Sequence, residues 1–445
     1  MNNHNKPNIL YLFTDQQSSA MMSCAGNPYL QTPAMDSIAA NGIRFDRAYC
    51  SNPVCAPSRF SMMTGQMPGK FGIRSNFDAE NVTVPLKIRK KTIGCLLKEN
   101  GYDTAYGGKV HLPPKMTPED MGFKYLARDQ RDELANSCVE FIQDKRNRPF
   151  MLIASFINPH DICYMGIRDF ANQSMKTKLR KNKQIEIAHL DKALKKPSGI
   201  STDDFLNHIA PPVPNNFEPQ NPEPEAIKSI LDQRPFKRHT RENWSKETWQ
   251  LHRWAYCRLT EIVDRQIQQI INALKQTNQF ENTVIIFSSD HGDMDGSHQM
   301  EHKTALYEEA TKIPLIISWK DIKYPGTVDK THLVSNGLDL VPTICDFAQI
   351  KPPDELEGMS LKPIIENTNT YNWRKDLHVE SEFGDMITNS KYKYVLYDKG
   401  TNREQLIDLQ SDSGEINNLI EQPKLKQIKN TLRNSLFEKI KQYKN

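Results

Sequence analysis

NILYLFTD, residues 8–15, is a short apolar run that ends in a carboxylate, and the same pattern recurs along the chain. Three further runs are YDTAYGGK (102–109), PFMLIASFINPH (149–160) and NTVIIFSSDH (282–291). Helical patterns lie between them, and the clearest repeats apolar residues at helical spacing from Trp249 to Leu274. This alternation predicts an α/β fold with a large, mostly parallel sheet flanked by helices.

The ends of these four runs predict a functional site. Ligands of open α/β sheets bind beyond the carboxyl ends of the strands. The runs would therefore deliver Asp15, Lys109, His160, Asp290 and His291 to one edge of the sheet. A single Asp after a strand is more often a helix cap or a turn former. Four strands that all end in Asp, Lys or His residues favour a shared functional site.

Composition excludes some classes of function. The chain has 445 residues and a net charge of only +4, without a nucleic-acid-binding signature, so we expect no nucleic-acid partner. Its apolar runs are far shorter than the roughly 20 residues that cross a bilayer, so we expect no membrane partner. The N-terminus MNNHNKPN lacks the features of a secretory signal. This predicts a cytoplasmic protein, or a periplasmic or secreted one if a leader has been removed.

Two regions differ from the rest of the chain in composition and hydropathy pattern. Between about Ser174 and Arg241 the chain is polar, with the basic stretch KTKLRKNK and the proline-rich APPVPNNFEPQNPEPE. Such an insertion is typical of a solvated surface or a lid near a site. From about Thr370, KYKYVLYD alternates like an antiparallel strand and a lysine-rich helix closes the chain. We therefore predict a main domain over residues 1–368 and a smaller α+β subdomain over residues 369–445.

The stretch SNPVCAPSRFSMMTG, residues 51–65, places a cysteine four residues before an arginine. Cys55 can be a small buried hydrophobe, a nucleophilic thiolate partnered by a histidine such as His111, or a modified residue. The permanently charged guanidinium of Arg59 fits a role near the sulfur. The residues alone leave these alternatives open.

This stretch resembles the signature of the type I sulfatases, Cys-x-Pro-Ser-Arg followed by Thr-Gly, in which the cysteine is oxidised to formylglycine. GYDTAYGGKVH (101–111) resembles the second family signature, although Gly107 and Val110 depart from the usual residue types. GSHQMEHKTALYEE carries His, Lys and Tyr-Glu in the family's spacing, and EQLIDLQSDSGEINNL resembles its closing motif, with Ser413 where proline is common. The resemblance extends from about Asn8 to Leu419 and implies the alkaline-phosphatase-like fold.

The resemblance implies a divalent metal and a covalent nucleophile. The implied metal ligands are Asp15, Gln16, the converted Cys55, Asp290 and His291, with Gln16 in place of a common aspartate. Calcium is the implied ion, with Mg²⁺ or Mn²⁺ as alternatives, since His291 offers nitrogen, which calcium tolerates less well than manganese does. One hydroxyl of the hydrated formylglycine would attack sulfur and expel the alcohol. The other would then lose its proton, and collapse to the aldehyde would release sulfate.

Roles for the remaining site residues follow from the same resemblance. Arg59 would hold the diol that replaces Cys55. Lys109 and Lys303 would bind the sulfate. His111 would act as the base for the elimination, and His160 as the acid for the leaving alcohol.

His298 would contact the leaving-group side of the substrate. The polar residues His378 and Glu380 in the C-terminal segment are further candidates for hydrogen bonds to sugar hydroxyls, although an exposed strand end explains them equally well.

The resemblance thus implies hydrolysis of a sulfate ester, and the polar insertion and C-terminal segment favour a sulfated carbohydrate over an apolar sulfate. A formylglycine-generating or sulfatase-maturating enzyme is the implied partner. One alternative is a phosphonate monoester or phosphodiester hydrolase of the same superfamily. Another is a non-catalytic protein that binds an anionic glycan through its basic insertion, with Cys55 as a plain thiol.

Overall fold

A central sheet organises the molecule, which we describe from a computed structural model covering residues 6–368 and 372–444. The strands are β1 Asn8–Asp15, β2 Gly42–Phe45, β3 Ala48–Tyr49, β4 Asp103–Gly108, β5 Lys124–Ala127, β6 Phe150–Pro159, β7 Thr283–Ser289, β8 Leu315–Ser318, β9 Thr327–Asp329, β10 Val334–Ser335, β11 Leu377–Ser381, β12 Gly384–Thr388, β13 Tyr392–Tyr397 and β14 Glu404–Asp408. Eight of them form one sheet in the order β5-β4-β6-β1-β7-β8-β2-β9. All neighbours pair in parallel except β8, which is antiparallel to both β7 and β2.

Helices cover both faces of this sheet. They are α1 Pro33–Ala40, α2 Cys55–Thr64, α3 Asn76–Asn81, α4 Leu86–Arg89, α5 Ile93–Glu99, α6 Leu134–Gln143, α7 Cys163–Phe170, α8 Gln173–Asn182, α9 Gln184–Ala193, α10 Thr202–His208, α11 Glu225–Gln233, α12 Pro235–Asn243, α13 Lys246–Gln276, α14 Glu308–Thr311, α15 Asn336–Phe347, α16 Lys362–Ile365 and α17 Lys426–Lys444. Alternate residues of β1 point to opposite layers: Tyr11 packs in the layer that includes α2, α5 and α15, and Leu12 packs in the layer of α1, α6 and α13. The predicted α/β architecture is confirmed.

The long helix α13 contains the predicted apolar stripe. Ser245 caps its start, since the side chain accepts a hydrogen bond from the backbone N–H of Thr248. Val263, Ile267 and Ile270 are buried against the even-numbered residues of β1. Burial of this face on the sheet anchors the helix that borders the insertion.

The insertion is helical, which its polar and proline-rich composition did not predict. It forms α8 to α12, and these helices bury few side chains each. Leu190 and Ala193 pack near the start of α7, and Phe205 packs on Trp254 of α13. Tertiary contacts with α7, α13 and the C-terminal sheet, rather than intrinsic helix preference, stabilise these short helices.

The C-terminal segment forms a four-stranded antiparallel sheet in the order β11-β12-β13-β14. Leu432 and Leu436 of α17 pack on one face against Ile387 and Tyr394. The opposite face packs on α11 and on residues 294–310 of the main part. The antiparallel strand and the closing helix are as predicted, and the proposed division at residue 368 stays a prediction.

Within residues 6–368 and 372–444, no helix combines the length and apolar character that crossing a membrane requires.

Candidate active site

Cys55 is the first residue of α2. The preceding residue, Val54, has an extended backbone, so Cys55 lies at the helix terminus, where unpaired N–H groups favour a negative charge. Its side chain is 1% exposed. Arg59 follows one turn later on the same helical face, which explains why the sequence places the two residues four positions apart.

The ends of β1 and β7 and the start of α2 bring four potential metal ligands together. One ligand atom from each of Asp15, Cys55, Asp290 and His291 lies within 4.8 Å of the others, and all four residues are buried. Cys55 Sγ lies 3.3 Å from His291 Nε2 and 3.7 Å from Asp15 Oδ1. The other imidazole nitrogen, Nδ1, is 2.8 Å from the Gly292 carbonyl oxygen. Donation of a proton there leaves the Nε2 lone pair facing the cluster.

The electrostatics of this cluster suit a cation. The pKa of Asp290 is raised, first by burial and then by the charge of Asp15. Two buried carboxylates so close repel each other, and a divalent ion would remove both the repulsion and the desolvation cost. The donor set and its burial therefore fit a divalent metal.

Gln16 borders the cluster with its amide oxygen. Its side-chain Nε2 donates to Asp293 Oδ2 at 2.5 Å, and its Oε1 accepts from Lys303 Nζ at 2.9 Å. The same ammonium lies 2.9 Å from Cys55 Sγ. The amide is thereby oriented with oxygen toward the cluster, as a ligand requires.

Arg59 donates hydrogen bonds to both carboxylates of the cluster, Asp15 and Asp290. Nε donates to Asp290 Oδ2 at 2.7 Å and Nη2 to Asp15 Oδ2 at 3.0 Å. Nη1 donates to the Lys109 carbonyl oxygen and to Ser155 Oγ, both at 2.8 Å. The side chain is 1% exposed. In the structure it positions the two aspartates, and its predicted contact with the diol that replaces Cys55 stays a prediction.

Two lysines approach the cluster from other elements. Lys109, just beyond β4, donates to Asp15 Oδ2 at 2.5 Å, and Lys303 contacts Cys55 and Gln16. Burial and the Asp15 carboxylate disfavour a thiolate at Cys55. The two lysines and His291 outweigh them and hold the pKa of the Cys55 thiol well below its ordinary value.

The two predicted acid–base histidines follow β4 and β6, the two strands next to β1 on one side of the sheet. His160 is half-buried directly after β6, and Asp15, Lys109 and Lys303 act on it electrostatically. Burial, with the lysine charges, lowers its pKa well below the usual value. His111 lies two residues beyond Lys109 with a left-handed backbone, φ 48°. The Nδ1 atoms of both rings are buried without a hydrogen-bond partner among residues 6–368 and 372–444.

The three residues proposed for substrate binding lie among other partners. His298 is buried, and its ring stacks on Tyr307 with a centroid separation of 4.1 Å. His378 Nε2 is 2.9 Å from Asp385 Oδ1, and Glu380 Oε1 accepts from the Gly69 backbone N–H at 2.5 Å. Burial raises the pKa of Glu380 to about 8. A role for these three side chains in substrate binding stays a prediction.

Sequence reasoning missed two side chains that support the site. Asp293 orients Gln16, and burial raises its pKa to about 7. Its position two residues after His291, in the run DHGD, is a signal that could have identified it. Lys237 is buried on α12 and donates to the Lys303 carbonyl oxygen at 3.1 Å. Nothing in the polar insertion marks Lys237, because its contact exists only after folding.

Comparison with known proteins places this site in a family. The model of the family "Sulfatase" matches residues 7–350, and a second model, "N-sulphoglucosamine sulphohydrolase, C-terminal", matches residues 296–442. The chain is 28% identical to a Delta 4,5-hexuronate-2-O-sulfatase of Bacteroides thetaiotaomicron, over 95% of this chain and 86% of that protein.

Solved structures share the fold over almost the whole chain. A 2-O GAG sulfatase matches with a TM-score of 0.84 and 26% identity, over 99% of this chain and 93% of the other. A phosphonate monoester hydrolase of Agrobacterium radiobacter matches with a TM-score of 0.74 at 18% identity, over 98% and 96% of the two chains, and shows the fold alone. With its four-ligand cluster beside two lysines and with matches over nearly its full length, the chain belongs to the sulfatase family and is a sulfuric ester hydrolase.

Proposed function

We propose that this protein hydrolyses the sulfate ester of a sulfated saccharide, using formylglycine formed from Cys55 and a bound calcium ion. The observation that carries the proposal is the buried cluster of Asp15, Cys55, Asp290 and His291, with Lys303 Nζ 2.9 Å from the Cys55 sulfur. Two similar proteins support a saccharide substrate, since their names specify a hexuronate 2-O-sulfatase and a 2-O GAG sulfatase. A maturating enzyme that oxidises Cys55 is the partner that this proposal requires.

Formylglycine would supply, as its hydrate, one hydroxyl that attacks sulfur and a second hydroxyl whose deprotonation re-forms the aldehyde and expels sulfate. Asp15, Gln16, Asp290 and His291 would hold calcium, which would supply positive charge at that nucleophile. The protein's own contribution is to assemble these groups at a buried helix terminus before substrate arrives, so that little reorganisation is needed during the reaction.

The lysines and histidines perform the remaining steps in this proposal. Lys109 and Lys303 bind the sulfate oxygens as point charges. The same two charges lower the pKa of His160, and a bound sulfate offsets them. Substrate binding therefore raises the pKa of His160 and lets it hold a proton for the leaving oxygen. His111, whose Nδ1 has no partner in the described part of the chain, takes a proton from the hydrated formylglycine.

Rates on matched aryl esters test the proposed reaction. The protein is co-expressed with a formylglycine-generating enzyme, and kcat/KM is measured on 4-nitrophenyl sulfate, 4-nitrophenyl phosphate and a 4-nitrophenyl phosphonate monoester. We expect the highest value on the sulfate. A higher value on a phosphorus ester would instead favour the phosphonate or phosphodiester hydrolase, and no turnover of any ester by converted protein would favour a glycan-binding protein.

Removal of the metal is expected to lower stability and activity together. The carboxylates of Asp15 and Asp290 are buried beside each other, so loss of the cation restores their repulsion. A metal present at about 100 times its Kd stabilises the folded state by about 2.7 kcal/mol. We therefore expect a chelator to lower Tm by several degrees, and addition of Ca²⁺, Mg²⁺ or Mn²⁺ in turn to identify the ion that restores both Tm and turnover. Unchanged Tm and turnover after chelation would contradict the metal site.

A further inference from the structure

A cavity lies where the insertion meets α7 and α13, apart from the cluster already described. We name it the insertion groove: a cavity of about 470 Å³ between α7, α8, α9 and the start of α13. Its walls include Met165, Arg168, Lys176, Arg180, Trp244 and Leu251. Its volume is within the range of small-molecule sites in proteins.

The groove is close to the catalytic cluster through two connections. The first residue of α7, Cys163, lies 3.1 Å from Gln16 Nε2. Arg168 follows it by five residues, about 7.5 Å along the helix. On the other side, His189 of α9 is 3.4 Å from Asn158 Nδ2, two residues before His160. The groove is therefore near enough to the cluster for one oligosaccharide to be long enough to contact both.

The floor of the groove presents a fixed aromatic ring. Trp244 is half-buried, and its Nε1 donates to Asp169 Oδ2 at 2.8 Å. The ring packs on Trp249 with a centroid separation of 4.8 Å. A ring fixed by a hydrogen bond at Nε1 and by a T-shaped contact with Trp249 offers an apolar surface with a polar rim, which suits the C–H face of a sugar.

The wall formed by α8 is cationic. Residues 173–183 contain five lysines and arginines and no acidic residue. Arg168 on α7 is already paired with Asp191. Lys176 and Arg180 form no ion pair within 4.0 Å among residues 6–368 and 372–444, and Lys176 acts on Asp169 only at longer range. These two side chains are available to an anionic group.

We propose that the insertion groove is a second anion-recognising subsite, which binds a sulfated or carboxylated sugar unit of the same oligosaccharide whose sulfate ester lies at Cys55. The inference rests on the proposed function and narrows it, because it makes the substrate a chain of anionic sugars rather than a single sulfated sugar. Trp244 supports the ring of the distal sugar, while Lys176 and Arg180 bind its anionic group.

Binding measurements on chains of two lengths test this proposal. The Cys55→Ser protein, with calcium present, is titrated by calorimetry with disaccharides and hexasaccharides of heparin, chondroitin sulfate and carrageenan. We expect at least one hexasaccharide to bind more tightly than its disaccharide. The double variant Lys176→Ala/Arg180→Ala should weaken that hexasaccharide about tenfold, because it loses charge-assisted hydrogen bonds, and should weaken the disaccharide by less than about twofold.

A matched control separates a built subsite from general charge attraction. Lys178→Ala/Lys181→Ala removes the same charge from the same helix at exposed positions that do not line the groove. We expect it to change hexasaccharide affinity by less than about twofold. Equal losses in both double variants, or no hexasaccharide that binds more tightly than its disaccharide, would overturn the proposal.

Failure of the groove and failure of the proposed function give different results. If converted enzyme hydrolyses 4-nitrophenyl sulfate but its oligosaccharide affinity does not depend on chain length, the proposed sulfatase reaction stands and the proposed subsite is refuted. Converted enzyme that hydrolyses no sulfate ester loses the proposed function, whatever its affinity for oligosaccharides.

Discussion

Cys55→Ser is expected to abolish sulfate ester hydrolysis while leaving the fold intact. The substitution exchanges one atom at a position that is 1% exposed, so packing changes little. A serine hydroxyl can attack sulfur, but serine has no second hydroxyl on the same carbon. Without the loss of a proton from such a hydroxyl, the aldehyde cannot re-form and sulfate is not released. We expect turnover of 4-nitrophenyl sulfate to fall on the order of 10⁴-fold or more, as it does when other covalent hydrolases lose their nucleophile.

The measurement combines kinetics with the mass of the tryptic peptide that contains position 55. Wild-type protein co-expressed with the maturating enzyme should show the aldehyde, and the variant should not. Cys50→Ser is the matched control, since Cys50 is also buried and its Sγ lies 3.9 Å from the Ala310 carbonyl oxygen, which a hydroxyl can also approach. Turnover retained by Cys55→Ser, or a plain thiol in active wild-type enzyme, would rule out the proposed nucleophile.

Arg59→Lys is expected to lower both stability and activity, although it preserves the charge. The guanidinium donates to Asp15, Asp290, Ser155 and the Lys109 carbonyl at once. A single ammonium cannot reproduce this planar geometry, so at least one of these buried acceptors loses its hydrogen bond. We expect a loss of about 3 kcal/mol or more in the free energy of unfolding and roughly a 10- to 100-fold loss of activity or metal affinity.

Arg44→Lys provides the control for this substitution. Arg44 forms an ion pair with the more exposed Asp46, and pairs of that kind contribute about 0–1 kcal/mol. Denaturant unfolding of both variants, with and without calcium, measures the difference directly. Equal stability of the two variants would show that the four hydrogen bonds of Arg59 contribute nothing beyond its charge.

The fold class was predictable because each central strand is short, apolar and bounded by polar residues. β1 coincides with one of the quoted runs, and β4, β6 and β7 lie within the other three. Parallel strands buried on both faces must read as continuous apolar runs, so the pattern appears in the sequence before any tertiary contact forms. The insertion was not predictable in this way, since its short helices depend on tertiary packing, such as that of α9 on α7 and α13 and that of α11 on the C-terminal sheet.

Positions at strand ends could likewise be predicted, since parallel strands carry their last residues to one edge of a sheet. The gathering of Asp15, Lys109, His160, Asp290 and His291 therefore follows from the order of the chain. The hydrogen bonds of Arg59 could not be predicted in this way, because its four acceptors belong to residues that are distant in sequence. The same holds for Lys237, whose partner lies 66 residues away.

The sequence by itself determined the central strands, the residues at their ends and the four-residue spacing of Cys55 and Arg59. Local periodicity and helix geometry are properties of neighbouring residues, and these features require nothing else. Only the tertiary structure decided which groups Arg59 donates to, that His298 stacks in the interior on Tyr307, and that the polar insertion forms a groove with α7 and α13. Those outcomes depend on distances between residues far apart in the chain, which burial and packing set only when the whole domain folds.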